Sequence, residues 1–157
     1  MSSSDTYGIE LIHPRREGRS PRQLGRKGLS NGRWIIGVKW AILINQRGEI
    51  VDWLWDTANE HDNIFRELAI AYKGETIAFS DLGFRKQECD PENFHYCQKG
   101  EWNDRYLIET ILSWMTEKFH AKHMYHRADK YLEMRLGALA DAFNILFKMN
   151  KYQYSMI

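Results

Sequence analysis

The sequence predicts one α/β domain in which helices pack on a sheet. Three observations indicate this fold class. Apolar runs of strand length alternate with stretches of helical period, their order is strand, hairpin, helix, two strands and two helices, and no repeat or linker interrupts them. The 157 residues are enough to bury a substantial core, and a hydrophobic content of 43% argues against disorder.

The first part of the chain contains a predicted strand, a loop and a hairpin. Residues 8–12 (GIELI) have the pattern of a short strand, and residues 13–33 that of a loop, because Gly, Pro and Ser punctuate them without an apolar period. The apolar run 34–44 and residues 50–55 flank the turn Asn45-Gln-Arg-Gly48. This arrangement predicts a β-hairpin.

A first helix and two short strands are predicted next. Thr57 or Asn59 can cap the helix, which ends near Tyr72. Residues 76–80 and 94–98 have the pattern of strands. The inner face of the helix is predicted to consist of Ile64, Phe65, Leu68 and Ala69.

Two longer helices follow. Asn103 or Asp104 can cap the first of them, and the second extends from about residue 127 to residue 150. Apolar residues recur at helical spacing in both, which predicts one buried face for each helix. These faces are Leu107, Ile108, Ile111, Leu112, Met115 and Phe119 in the first helix, and Tyr131, Leu132, Leu139, Phe143 and Leu146 in the second.

The formal net charge of +1 conceals a strong local asymmetry. Residues 13–39 contain eight basic residues and one acid, Glu17, whereas residues 49–67 contain six acids and one arginine, Arg66. Local positive charge favours a polyanionic partner, although a solvated basic loop would have the same composition. The basic residues are Arg15, Arg16, Arg19, Arg22, Arg26, Lys27, Arg33 and Lys39.

Cysteine content and hydropathy bear on the cellular compartment. Cys89 and Cys97 are the two cysteines, which disfavours a disulfide framework and predicts a reducing cytoplasm. No apolar run approaches the ~20 residues of a membrane-spanning helix. The first residues, MSSSDTYG, lack the pattern of a signal peptide.

Three acidic residues form the candidate catalytic centre. Asp5 lies near the first residue, Asp81 directly follows the strand predicted at 76–80, and Glu109 lies within a predicted helix. Each also has an ordinary explanation. Asp5 can belong to a frayed terminus, Asp81 can cap a turn, and Glu109 can be a solvated glutamate paired with Arg105. Together they can hold two Mg²⁺ or Mn²⁺ ions roughly 3.5–4 Å apart, which would stabilise the attacking and leaving oxygens at a phosphodiester.

Two weaker sets of zinc ligands also occur. One consists of His120, His123 and His126, whose spacing of three residues drifts around a helix and includes no nearby cysteine. The other set is Cys89, His95 and Cys97.

Five stretches of the chain carry a combined pattern: GIELIHPRREGRSPRQLGRKGLSN, WLWDTANEHD, FSDLGF, CQKGEWNDRYLIETILS and HMYHRADKYLEMRLGALADAFN. Together they resemble the C-terminal catalytic domain of bacterial DDE-type insertion-sequence transposases, over about residues 5–150. The resemblance implies a single ribonuclease H-like domain over residues 1–157. It also implies that Asp5, Asp81 and Glu109 are the Asp, Asp and Glu of the DDE motif and bind two Mg²⁺ or Mn²⁺ ions.

The chain departs from the family pattern at two places. One branch of the family carries Tyr-x2-Arg-x3-Glu-x6-Lys around its glutamate. Here Arg105 and Glu109 match, but Trp102 occupies the tyrosine position and Thr116 the lysine position. Only MSSS precedes Asp5, where members usually have an upstream DNA-binding region, so the chain is expected to be the distal part of a longer transposase.

The implied reaction is DNA cleavage followed by strand transfer, in which water attacks a phosphodiester at a transposon end and the freed 3′-hydroxyl attacks target DNA. The implied partners are double-stranded DNA and a second copy or a full-length transposase, with localisation in the bacterial cytoplasm. The DNA-binding residues are predicted to be Arg15, Arg16, Arg19, Arg22, Arg26, Lys27, Arg33 and Arg105.

Three other interpretations remain open from the sequence. The chain can be an inactive remnant that binds DNA or inhibits a full-length transposase. It can be a stand-alone metal-dependent nuclease with the same three acids. It can also be a structural or interaction domain without a role on nucleic acid.

Overall fold

The computed structural model describes residues 2–30, 32–45, 47–60, 64–72, 78–80, 94–96 and 104–154, and of these only the backbone at 2–5, 64–66, 69, 78–80, 94–96, 104–108 and 151–154. The strands are β1 (Ser2–Ile12), β2 (Arg26–Ser30), β3 (Arg33–Asn45), β4 (Ile50–Thr57), β5 (Ala78–Ser80) and β6 (Phe94–Tyr96). The helices are α1 (Ile64–Ala71), α2 (Asp104–Glu117) and α3 (Asp129–Tyr154), and a 3-10 turn spans Pro14–Arg16.

The described strands form one mixed sheet in the order β2-β3-β1-β5-β6, with β4 also paired to β3. Strands β1, β2 and β4 are antiparallel to β3, whereas β5 is parallel to β1 and β6 is parallel to β5. One edge of β3 serves two partners in succession, because β2 pairs with residues 33–37 and β4 with residues 38–44. The α/β class predicted from the order of elements is confirmed.

Strand β3 is buried on both faces, which explains its uninterrupted apolar run. On one face Trp40 and Ile42 join the larger core, together with residues of β1, α2 and α3. On the other face Ala41 and Leu43 pack with Leu68 of α1 in a smaller core. The central strands therefore lie between two layers of helix.

Helix α3 closes the larger core over β4. The side-chain amide of Asn144 accepts a hydrogen bond from the backbone N–H of Ile50 and donates one to its carbonyl, both at 2.8 Å. Neither α3 nor any other helix in the described part of the chain is long and apolar enough to cross a membrane. The buried residues of α3 follow the helical period: Leu132, Leu136, Leu139, Ala140 and Phe143.

The predictions for the first strand and for the loop after it are partly wrong. Strand β1 begins at Ser2 rather than at residue 8, so Asp5 lies inside it. Residues 26–30, predicted as loop, form β2 because they pair with the first five residues of β3. Gly28 permits this packing, since a side chain at that position would collide with the carbonyl of Ala58.

The helix predictions need smaller corrections. Thr57, a predicted cap, is the last residue of β4, Asn59 lies in the turn that follows, and α1 is described from Ile64. Tyr131 and Leu146, predicted on the buried face of the last helix, are exposed. Their positions fall outside the arc of α3 that the sheet covers.

Candidate active site

The first candidate residue, Asp5, lies in the central strand of the sheet. Strand β1 has β3 on one side and β5 on the other, and Asp5 pairs with Ile42 of β3. The register with β3 is continuous from Ser2 to Glu10. The backbone of Asp5 is therefore held in the sheet instead of belonging to a frayed end, while its side chain lies outside the described part.

The parallel pairing of β5 with β1 relates Asp5 to the second candidate residue, Asp81. Ser3 is level with Phe79, and β5 is described as far as Ser80. Asp5 follows Ser3 by two residues, and Asp81 follows Phe79 by two residues. The described pairing of β1 with β5 ends at Ser3 and Phe79, two positions before either aspartate. Asp81 itself lies outside the described residues.

The third candidate residue, Glu109, belongs to α2, which packs on β1. The hydroxyl of Tyr7 on β1 lies 2.7 Å from the hydroxyl of Thr116 on α2, and the Thr116 hydroxyl also donates to the carbonyl of Leu112 at 2.9 Å. Burial raises the pKa of Tyr7 above its ordinary value of 10.0, and the hydrogen bond with Thr116 acts in the opposite direction. A half-buried polar contact thus fixes the helix on the strand.

Helical geometry relates Glu109 to this contact. Thr116 follows Glu109 by seven positions. In an α-helix this offset corresponds to about 10.5 Å along the axis and to a rotation within about 20° of two full turns. The two residues therefore lie on the same face of α2, and the side chain of Glu109 is exposed.

The path of the chain shows towards which end of β1 Glu109 lies. After α2, the carbonyl of Lys122 accepts a hydrogen bond from Glu10 N at 2.8 Å, and Met124 N donates to the Glu10 carbonyl at 2.9 Å. Thus Thr116 meets β1 near Tyr7, and later residues meet it further along the strand. Because α2 and β1 advance in the same direction, Glu109 lies towards the end of β1 that contains Asp5.

The opposite end of β1 carries another carboxylate, Glu10, in a different environment. Its side chain is 9% exposed, and it accepts a hydrogen bond from Arg33 Nη2 at 3.2 Å. The Nδ1 atom of His123 lies 3.9 Å from its other oxygen. These three residues, with Ser30 and Lys122, line a cavity of about 130 Å³. The charge of Glu10 is paired inside the protein, which indicates a structural role.

Seven of the eight basic residues predicted to bind DNA have described side chains, and all seven are exposed, but only some of them lie in a loop. The segment after the 3-10 turn is ordered by Gln23, whose side chain accepts from Gly18 N and donates to the Gly25 carbonyl, both at 2.8 Å. Arg105 lies in α2, and its side chain is outside the described part. The exposed residues are Arg15 and Arg16 in the 3-10 turn, Arg19 and Arg22 after it, Arg26 and Lys27 in β2, and Arg33 in β3.

Among the side chains that the structure describes, no three His, Cys, Asp or Glu residues form a group that could hold a metal ion. His120, His123 and His126 belong to these described residues, so the structure gives no support to a zinc site there. The side chains of Asp5 and Asp81 lie outside this part of the chain, as do those of Cys89, His95, Cys97 and Trp102.

Sequence reasoning did not predict two contacts. One joins the hydroxyl groups of Tyr7 and Thr116. An aromatic residue in an apolar strand is expected in the core, and the sequence does not indicate a partner for its hydroxyl. The other places Lys27 Nζ 5.6 Å from the centroid of the Trp34 ring. This contact depends on the pairing of β2 with β3, and the sequence of β2 has no apolar alternation that would predict a strand.

Comparison of the chain with protein-family models, with curated proteins and with solved structures finds no match.

Proposed function

We propose that this chain is the catalytic domain of a DDE-type insertion-sequence transposase with a ribonuclease H-like fold. In this proposal Asp5, Asp81 and Glu109 bind Mg²⁺ or Mn²⁺ at a DNA phosphodiester. The observation that carries the proposal is the parallel register of β1 and β5, in which Asp5 and Asp81 have the same offset from one pair of neighbouring residues. The packing of α2 on β1 through Tyr7 supports the inclusion of Glu109.

The donor set fits a hard divalent cation. Three carboxylates offer only oxygen ligands, which Mg²⁺ and Mn²⁺ prefer, and their origin in three separate elements leaves room for water and phosphate oxygens. Two such ions, when bound, would supply an activated hydroxyl and neutralise the leaving oxygen. The protein would contribute a rigid frame, because β1 is hydrogen-bonded to a strand on each side.

A DNA substrate agrees with the distribution of charge. The exposed arginines between residues 15 and 33 follow β1, the strand that contains Asp5, and two of them, Arg26 in β2 and Arg33 in β3, lie in the same sheet as that strand. Each phosphate that they neutralise would release counterions, and binding to a duplex would weaken with salt by a log–log slope of roughly −0.9 per contact. Salt-sensitive binding is therefore expected of the basic segment.

Asp81→Ala tests the proposal. The purified chain should nick supercoiled plasmid in the presence of Mn²⁺, and Asp81→Ala should abolish nicking while leaving plasmid binding intact. Asp141→Ala, which removes an exposed carboxylate from α3, is the matched control and should nick like the unaltered chain. Nicking that survives Asp81→Ala would contradict the assignment of the acidic residues.

Three further outcomes separate the proposal from its rivals. Transfer of a labelled oligonucleotide with a free 3′-hydroxyl into plasmid would distinguish a transposase from a stand-alone nuclease. Salt-sensitive binding without any nicking would favour an inactive remnant. Absence of DNA binding would favour a structural domain.

A further inference from the structure

The hairpin formed by β2 and β3 exposes two large apolar side chains. Trp34 is 60% exposed, and Leu29, its cross-strand partner, is 50% exposed. Lys27 precedes Leu29 by two residues on the same face of β2, and its ammonium group lies 5.6 Å from the centroid of the Trp34 ring. An aromatic ring, an aliphatic side chain and a cation therefore share one small surface.

This surface belongs to a hairpin that is anchored to the sheet. All five residues of β2 pair with β3, and Arg33, next to Trp34, forms the ion pair with Glu10 of β1. Gly28 packs directly under the carbonyl of Ala58. The exposure of Trp34 is thus a property of a paired strand, held in a defined orientation.

The size and charge of the surface favour a nucleic acid over a protein partner. A stable protein interface buries about 800 Å² on each partner, far more than two side chains provide. Stacking of one base on an aromatic ring needs a single side chain and contributes roughly 1–3 kcal/mol, and a neighbouring cation can neutralise the phosphate. Arg26, also exposed, adds positive charge to the same hairpin. Because bases inside a duplex are already stacked, the base that fits Trp34 is an unpaired one.

Trp34 lies well away from the level of Asp5 along β3. Trp34 precedes Ile42, the β3 residue opposite Asp5, by eight residues. At about 3.4 Å per residue the separation along β3 is roughly 27 Å.

We propose that Trp34 is a stacking platform for an unpaired DNA base and that Leu29 and Lys27 flank that base. The identity of the substrate as DNA rests on the proposed function. The stacking contact itself does not involve the acidic residues.

Binding measured in EDTA tests the platform without any cleavage. Fluorescence anisotropy would compare a labelled 20-nucleotide single strand of mixed sequence with the matching duplex. Loss of 1–3 kcal/mol predicts that Trp34→Ala weakens single-strand binding about 5- to 150-fold, with less than about a 3-fold effect on the duplex. Trp34→Phe keeps a ring and should retain most of the affinity. Ile145→Ala, which truncates an exposed apolar residue of α3, is the matched control and should change neither affinity.

The outcomes separate this inference from the proposed function. An equal loss on both DNA forms, or no loss on either, overturns the platform, even if the unaltered chain nicks plasmid. If the chain never nicks plasmid but Trp34→Ala selectively weakens single-strand binding, the result supports the stacking platform and overturns the proposed transposase activity. A melting temperature of Trp34→Ala close to that of the unaltered chain excludes misfolding, and Trp34→Phe serves the same purpose where Trp34→Ala fails to fold.

Discussion

The two ends of the β1–β3 pair carry acidic residues in opposite surroundings. At one end Asp5 pairs with Ile42 of β3, and α2, the helix that contains Glu109, packs on β1 through Tyr7. At the other end Glu10 is buried and paired with Arg33. Both residues are carboxylates, so residue type does not distinguish the candidate catalytic one from the structural one. The neighbouring side chains and strands make that distinction.

The basic groups show the same division. Arg33 contacts Glu10, and β2 pairs with residues 33–37 of β3, roughly 17–31 Å along that strand from Ile42, the residue level with Asp5. A substrate that spans the sheet would then be held at one end and cut at the other. Three substitutions test this division of the sheet.

The largest effect is expected at Glu109. Glu109→Gln removes one charge from the candidate metal site and should lower the rate of Mn²⁺-dependent nicking about 100-fold or more, with unchanged plasmid binding. Glu117→Gln makes the same change in an exposed residue of the same helix, where the carboxylate accepts a hydrogen bond from Ser113, and should leave the rate within about 3-fold. Equal losses from both variants would remove Glu109 from the site.

A smaller effect, on stability, is expected at Glu10. Glu10→Gln loses the charged hydrogen bond to Arg33 and should lower the free energy of unfolding by about 1–2 kcal/mol, measured in urea. The nicking rate should stay within about 3-fold, since Glu10 lies at the end of β1 away from Asp5. Loss of nicking as complete as that of Asp81→Ala would show that both ends of β1 take part in the reaction.

The smallest effect is expected at Tyr7. Tyr7→Phe removes the hydrogen bond to Thr116 and should cost about 0.5–1.5 kcal/mol of unfolding free energy at pH 8. The raised pKa of Tyr7 adds a dependence on pH. The unfolded state loses the Tyr7 proton first, so the contribution of the buried neutral phenol is complete below pH 10 and declines above it.

Urea unfolding at pH 8 and at pH 11 would measure this decline. The stability of Tyr7→Phe should fall less between the two pH values than that of the unaltered chain. Tyr125→Phe alters a residue that is 76% exposed and should leave the decline unchanged. An identical pH dependence in Tyr7→Phe and the unaltered chain would contradict the role assigned to burial.

The β3–β4 hairpin and the long helices were predictable because their signals are local. In the turn, Asn45 Oδ1 accepts hydrogen bonds from Arg47 N at 2.9 Å and Glu49 N at 3.0 Å, and Gly48 has a φ of +84°, which favours glycine. The apolar period of α2 and α3 likewise requires only the residues of each helix. These local features were sufficient to predict the α/β class.

The candidate site was predictable only in part. The sequence put Glu109 within a helix and Asp81 after a strand, but the strand predicted near Asp5 began only at residue 8. Inclusion of Asp5 in β1 depends on pairing with β3, a strand some 37 positions later in the chain, as in the pair Asp5–Ile42. Residues 2–6 (SSSDT) have no local strand pattern from which that pairing could be predicted.

The sequence by itself determined the order of elements, the buried character of β3 and the concentration of positive charge between β1 and β3. Only the tertiary structure decided that residues 26–30 form a strand, that Tyr7 meets Thr116, that Trp34 faces solvent and that Ser3 is level with Phe79. The physical reason is the range of the forces involved. Turns and helical periods arise from neighbouring residues, whereas register, burial and charge pairing arise between segments that meet only after the chain has folded.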